Sequence, residues 1–503
     1  MWSASQGPMT TSHFVAHPTG LDLMPVVGGW LDIRLGSWLV PWLGLVRAYN
    51  TVLGIYVLLA GLGGLALARS LGARSQAAVL AGLLLQLDPF VVRHLDGGRP
   101  EQAALGVVAL ALAGAVACWS HPVSRKVAVG TGLVGALVVF ASWELAAMLA
   151  VGMVLGLPLI VWGLPRAETG PRRLGLAAIS AAGAALPWAL AFLSRTLSVR
   201  PDTADPMALG LASRASVGWL DFWTAGGLGP GAVAVIGLLA VPFVDKQRRR
   251  FWLGVWAILA LAFVLGLGPH PSAWPGAPGL PWGPFSALQA IPVLRWFHWP
   301  DRIVSVWGIA SGAALATTLT WSARRRPRLS GAVGVLALAL AVARIVQIGA
   351  WPTGDRVLPA SPALETVRDD PRPGAVFDLP LRPLGDARYG PQLAQTVHER
   401  PIRSIGTVPW LLPSDHVAPP DWSRSIDPSV PVASITFTEA DRQQLIDQGY
   451  GFIAFQRPRS RYRWAVQAES VLLELLGPPL ARDKTLGWTC WALAPTTVAP
   501  DAR

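Results

Sequence analysis

The sequence predicts an all-α polytopic membrane bundle of about ten to eleven transmembrane helices, followed by a small extracytoplasmic α/β domain. Three observations point there. Charged residues make up only 14% of 503 positions and mean hydropathy is +0.45, whereas soluble domains carry roughly 25% charge. Several windows of about 18 to 21 residues hold no charged side chain, the length that crosses a hydrocarbon core about 30 Å thick. Arginines gather in short runs between those windows, RAETGPRR at 166–173, DKQRRR at 245–250 and RRRPR at 324–328, as the positive-inside rule expects of cytoplasmic loops.

Taken in order, the chain opens with residues 1–47, expected to lie outside the cytoplasm. Within them VVGGWLDIRLGSWLVPWLG (26–44) is apolar yet holds Asp32 and Arg34. With Trp30, Trp38 and Trp42 it reads as an interfacial amphipathic helix. The alternative is an eleventh span. The expectation attached to the interfacial reading is that a span upstream of Met1 is missing from this sequence.

Residues 48–350 hold the spans, expected at 50–69, 76–93, 101–118, 125–142, 144–163, 174–194, 225–244, 251–268, 302–321 and 329–349. The links at 69–75, 119–126, 164–173, 245–250 and 322–328 carry Arg or Lys and face the cytoplasm; those at 94–100, 195–224 and 269–301 face outward. Span 76–93 is interrupted by Asp88-Pro89, so its broken backbone must be buried in protein or face a wet cavity. Residues 351–503 carry no spanning window. There GAVFDLPL (374–381), YGFIAFQ (450–456) and LGWTCWALA (486–494) read as strands, and EADRQQLIDQ (439–448) and AVQAESVLLELLG (465–477) as helices, an alternation typical of an α/β domain.

Charge and cysteine usage exclude two function classes. The net charge of +12 belongs to the loop arginines, so nucleic acid is not an expected partner. Cys118 and Cys490 fall on opposite sides of the membrane in this topology, which rules out a disulfide between them and a metal cluster built on them.

On the outer face five polar stretches collect: HPTGLD (17–22), RHLDGGRPEQ (93–102), SWE (142–144), ASVGWLDFW (215–223) and VLRWFHWPDR (293–302). Ionisable groups near membrane depth usually face a cavity and line a substrate path. Each stretch also has a plainer reading. Arg295 and Arg302 could be headgroup anchors, and HPTGLD, with His17, a turn capped by its own aspartate. RHLDGGRPEQ, with His94, could be a tight loop whose Pro100 and Glu101 open a helix; Glu144 could be solvated and His298 an interface residue. Their convergence at one end argues for a site.

The motifs in their order resemble the GT-C superfamily of multi-span glycosyltransferases, in particular its uncharacterised bacterial members. PTGLD (18–22), GRPEQ (98–102), HWPDR (298–302) and VFDLP (376–380) look like the family's P-x-G-x-D, G-[HR]-x-E-Q, [RH]-x-P-x-R and VxDLP stretches. The resemblance implies a plasma-membrane enzyme of the cell envelope that moves a sugar from a polyprenyl phosphate to a glycan, lipid or protein acceptor on the outer face. It implies a carboxylate base, with Asp22 nearest in the first outer loop and Asp96 or Glu101 as alternatives, although the family's catalytic aspartate normally stands earlier than Asp22. Arg99, Arg295 and Arg302 are the expected phosphate clamp; Trp296, Phe297 and Trp299, with His17, His94, Glu144 and His298, are expected around the donor. No cofactor is expected. Some members use a divalent metal, but no ligand set for one is visible. The rival expectation is a catalytically incomplete relative that binds envelope lipid or glycan without chemistry. An ion-coupled transporter is disfavoured, since the spans hold no ionisable residue at mid-depth apart from Asp88 and Arg344, both near outer ends.

Overall fold

In a computed structural model, the structure describes residues 11–12, 21–22, 29–96, 103–142, 145–146, 158, 161–198, 216–223, 232–274, 279–280, 282–289, 300–348, 361–379, 397–402, 436–457 and 462–493. The chain divides into two compact units. One is built on Val27–Ser198 and Asp202–Thr353, the other on Trp2–Val26, Val199–Pro201 and Gly354–Arg503.

Uncharged runs rich in Leu, Ala and Val make the first unit helical, because a helix satisfies every backbone polar group within itself. Helix α1 covers Trp30–Ser70, broken at Gly44 (φ 73°, ψ 165°), so the stretch expected as an interfacial helix runs directly into the first span. Helices α2 (Ser75–Gln86) and α3 (Pro89–Asp96) meet at a 44° bend where Asp88-Pro89 was expected to interrupt the span. Helices α4 (Leu105–Ser120), α5 (Arg125–Ala141), α6 (Gly170–Ser198), α7 (Ala232–Val244) and α8 (Arg249–Gly266) follow. A 3-10 turn over Pro300–Ser305 leads into α9 (Val306–Ala323), and α10 covers Pro327–Ile348.

Helix α9 is central: 72% of its spanning window is buried, against 11% in α6 and 17% in α10. Exposed Ile179, Leu186 and Leu190 on α6, and Val335, Leu336 and Val346 on α10, suit a lipid-facing surface. Helices α1 and α4 approach until backbones touch. A Cβ on Gly106 would overlap the main chain at Leu59 and Ala60, and one on Gly63 would overlap Gly106; small residues at such crossings let membrane helices pack closely.

Five helices are long and apolar enough to cross a membrane, six if α2 and α3 form one span. The expected count is ten to eleven. The shortfall among the described residues has two sources. Helices α4, α5 and α7 are short, at 16, 17 and 13 residues, and most of the expected span 144–163 lies outside the described residues.

In the second unit, strands β1 (Thr11–Ser12) and β2 (Leu21–Asp22) pair antiparallel. Helix α11 covers Pro362–Asp369, followed by β3 (Ala375–Leu379), α12 (Glu439–Asp447), β4 (Tyr450–Gln456), α13 (Tyr462–Leu476), β5 (Ala481–Asp483) and β6 (Trp488–Ala492). The sheet order is β3-β4-β6-β5, with β3 and β4 parallel and the other pairs antiparallel. Alternate residues serve two cores. Phe377, Ile453, Phe455 and Trp491 pack with Ala468 and Leu472 of α13, while Val376, Phe452, Ala454 and Cys490 pack with Leu364 and Val367 of α11. Covered on both faces, β4 is a continuous apolar run. The small α/β domain read from the sequence is present.

Candidate functional site

Two elements of the first unit carry the candidate residues that the structure describes in full. Helix α3 presents His94 on its buried side, 7% exposed, while Arg93 beside it is exposed. Residues four apart share a helix face, and the rings of Phe90 and His94 stack at 4.3 Å between centroids, tilted by 59°. Asp96 ends the helix. Asp88 caps it from the break, its Oδ1 accepting the Phe90 N–H at 2.9 Å.

Arg302 stands in the 3-10 turn ahead of α9 and is 6% exposed. That is not the exposure of an anchor reaching out from a helix end. The turn is packed onto the end of α8, where a Cβ on Gly266 would overlap Val304 and lie 3.5 Å from the Pro300 carbonyl oxygen.

One of the polar stretches, 215–223, pairs by its backbone with the segment that follows α8. The N–H of Val217 donates to the Gly266 carbonyl at 3.0 Å, that of Trp219 to Ser272 at 3.0 Å and that of Leu220 to Ala273 at 3.1 Å. A Cβ on Gly268 would lie between Ser216 and the Pro300 ring, 3.3 Å from the latter. So 216–223, 266–274 and the turn of Arg302 form one cluster.

An aromatic group joins them. Trp307 of α9 contacts Phe222 and Trp223, each at 5.5 Å edge-on, and Trp256 at 5.9 Å; Phe263 contacts Phe222 at 5.1 Å and Trp223 at 5.7 Å. Trp307 is held in place by its indole N–H, which donates to the Leu259 carbonyl at 3.0 Å. Phe222 and Trp307 are buried, but Trp219, Leu220, Trp223 and Trp274 are exposed. The buried arginine turn is therefore flanked by an apolar ledge. Sequence reading had singled out 215–223; it missed Trp256, Phe263 and Trp307, whose helical spacing makes them indistinguishable from ordinary span residues.

The other candidates are placed differently. Asp22 is described by its backbone alone, in β2, and belongs to the second compact unit, whereas His94, Asp96 and Arg302 belong to the first. His17, Arg99, Glu101, Glu144, Arg295, Trp296, His298 and Trp299 lie outside the described residues. Of VFDLP, the residues 376–379 form most of β3, the strand that opens the sheet. Among the described residues no group of three or more His, Cys, Asp or Glu converges on one point.

By sequence, no protein-family model and no curated protein matches the chain. By structure it is similar to ArnT from Cupriavidus metallidurans. Against ArnT bound to undecaprenyl phosphate, identity is 14% over 96% of this chain and 90% of that one, with a TM-score of 0.50. Against apo ArnT, identity is 13% over 94% and 88%, with a TM-score of 0.52. ArnT is a GT-C membrane glycosyltransferase, and likeness at this identity speaks for architecture. The chain as a whole, across both compact units, carries the fold seen in ArnT.

Proposed function

We propose that the protein transfers a sugar from a polyprenyl-phosphate donor to an envelope glycan, lipid or protein. The observation that carries this is the pairing of a buried arginine with an exposed aromatic ledge. Arg302 offers a guanidinium for phosphate oxygens, and Trp219, Leu220, Trp223 and Trp274 beside its turn offer the apolar surface that a polyprenyl tail requires. The undecaprenyl phosphate held by the ArnT structure is a lipid of that kind.

In the reaction an acceptor hydroxyl oxygen attacks the sugar's anomeric carbon. The bond from that carbon to the phosphate oxygen breaks, and polyprenyl phosphate leaves with the electron pair, inverting the centre. A carboxylate takes the hydroxyl proton; Asp22, Asp96 and Glu101 are the candidates. Arg302, with Arg99 and Arg295, stabilises the charge that grows on the phosphate. His17, His94, Glu144, Trp296, His298 and Trp299 belong to the same proposal as donor-binding groups. The chemistry as written uses no cofactor. The topology proposed with it has ten spans, an eleventh if the arm before Gly44 also crosses, in the plasma membrane, with 351–503 outside the cytoplasm.

The test uses purified full-length protein in nanodiscs and native mass spectrometry. Wild type should retain undecaprenyl phosphate in preference to phosphatidylglycerol, and Arg302→Ala should weaken that retention by roughly tenfold, about 1.4 kcal/mol. Sugar transfer from a radiolabelled donor should then fail in one of Asp22→Asn, Asp96→Asn or Glu101→Gln with lipid retention intact. If wild type prefers neither lipid, the reading is wrong.

A further inference from the structure

Asp88 lies at the bend between α2 and α3 and is 6% exposed. A carboxylate is an expensive choice in an apolar bundle. A Ser or Thr would cap α3 as well, so the capping bond to Phe90 does not by itself explain an aspartate. The second oxygen does more. Oδ2 lies against Gly308 of α9, where a Cβ would overlap it and come within 2.7 Å of Cγ. Arg344 of α10 supplies the positive charge that acts on the carboxylate, and α10 packs against α3.

Two short paths leave this carboxylate. One runs through the Phe90 N–H to the Phe90 ring and on to the His94 imidazole. The other crosses to Gly308, six residues beyond Arg302 and on the same continuous run of turn and helix. We infer that Asp88 is a positioning residue: resting on the lipid-phosphate reading above, it locks the half-helix bearing His94 and Asp96 to the helix that follows Arg302. Gly308 is the other half of this joint, glycine because any side chain would displace the carboxylate.

The joint is tested on full-length protein by hydrogen exchange of the α3 amides, in parallel with undecaprenyl phosphate retention. Gly308→Ala and Asp88→Ala should each speed α3 exchange by roughly tenfold and weaken lipid retention several-fold. Asp88→Asn keeps the shape and an acceptor oxygen for Phe90, and should restore α3 protection to within about twofold of wild type. In the double variant the atoms that a Cβ at 308 would meet are gone, so it should be no worse than Asp88→Ala alone. Additive losses in the double variant, or unchanged α3 exchange in both single variants, overturn the inference. Should the exchange cycle behave as described while wild type shows no preference for undecaprenyl phosphate, the joint stands and the lipid reading falls.

Discussion

The two compact units hold their buried polar groups differently. In the α/β unit Glu469 is matched side chain to side chain, and the half-buried Arg400 is matched guanidinium to carbonyl. Glu469, 1% exposed, meets Arg457 at 3.0 Å and Arg482 at 2.8 Å, and the Thr489 hydroxyl donates to it at 2.5 Å. Arg400 donates to the carbonyls of Val367, Arg372 and Asp370 at 2.8, 2.7 and 2.5 Å, with its guanidinium 4.4 Å from the Phe452 ring centroid. In the membrane unit, Asp88 and His94 are held by a helix end, a ring stack and a glycine notch, with the Arg344 charge acting on Asp88. The lesson is that burial of charge does not by itself indicate a site. Glu469 is among the most buried residues here, yet its ion pairs and hydrogen bond serve to hold α13 to the sheet.

The contrast is best broken at Glu469. Glu469→Ala leaves two arginines facing an emptied pocket, and should destabilise the α/β unit by about 3–5 kcal/mol. Hydrogen exchange of α13 and β6 in the intact protein reads this; α3 and α9 should keep their protection. Equal loosening of both units would show that they do not stand apart energetically.

Arg400→Lys should cost about 2–3 kcal/mol, because an ammonium cannot span three carbonyls in the plane of a fork. Faster exchange at α11 and β3 would report it, and a silent substitution would mean that the carbonyls are satisfied without the guanidinium.

A smaller effect is expected from lowering the pH from 7 to 5. Burial first, and the Arg400 charge second, lower the pKa of His398 to about 3, and its Nδ1 accepts the Arg400 backbone N–H at 3.1 Å. The unfolded chain binds this proton near pH 6.5, the folded one only near 3. Stability from keeping the ring neutral is therefore complete above about 6.5 and is lost as pH falls toward 3, at up to about 1.4 kcal/mol per pH unit. Asp370, held below the usual carboxylate range chiefly by its hydrogen bond from Arg372, adds to the acid loss only at lower pH. Urea unfolding of the α/β unit at pH 7, 6 and 5 should show the slope, and His398→Gln should flatten it.

Much of the fold was legible because the informative patterns are local. Uncharged runs located α6, α8, α9 and α10 to within a few residues, Asp88-Pro89 located the bend, and YGFIAFQ is β4 residue for residue. Helix α11 and strand β5 were missed. One is a short helix of mixed polarity and the other a three-residue edge strand, ARD, with no apolar alternation to reveal it. The site was legible only as a list of stretches. That 217–220 pairs with 266–273, or that Gly308 faces Asp88, depends on partners about 50 and 220 residues apart, and no local propensity encodes them. The residue-type signal was there, since an aspartate in a broken span invites the question of what it faces; the answer needed the packing.

One feature of α1 reaches further than its size. At Gly44 the backbone takes φ 73° and ψ 165°, a region that essentially only glycine visits. Helices on either side are stiff rods, so this one pair of torsions acts as a set-screw: it fixes the heading of the arm that carries exposed Trp38 and Trp42 relative to the rod beyond. A methyl group at that hinge would swing both indoles to a new bearing without touching either of them.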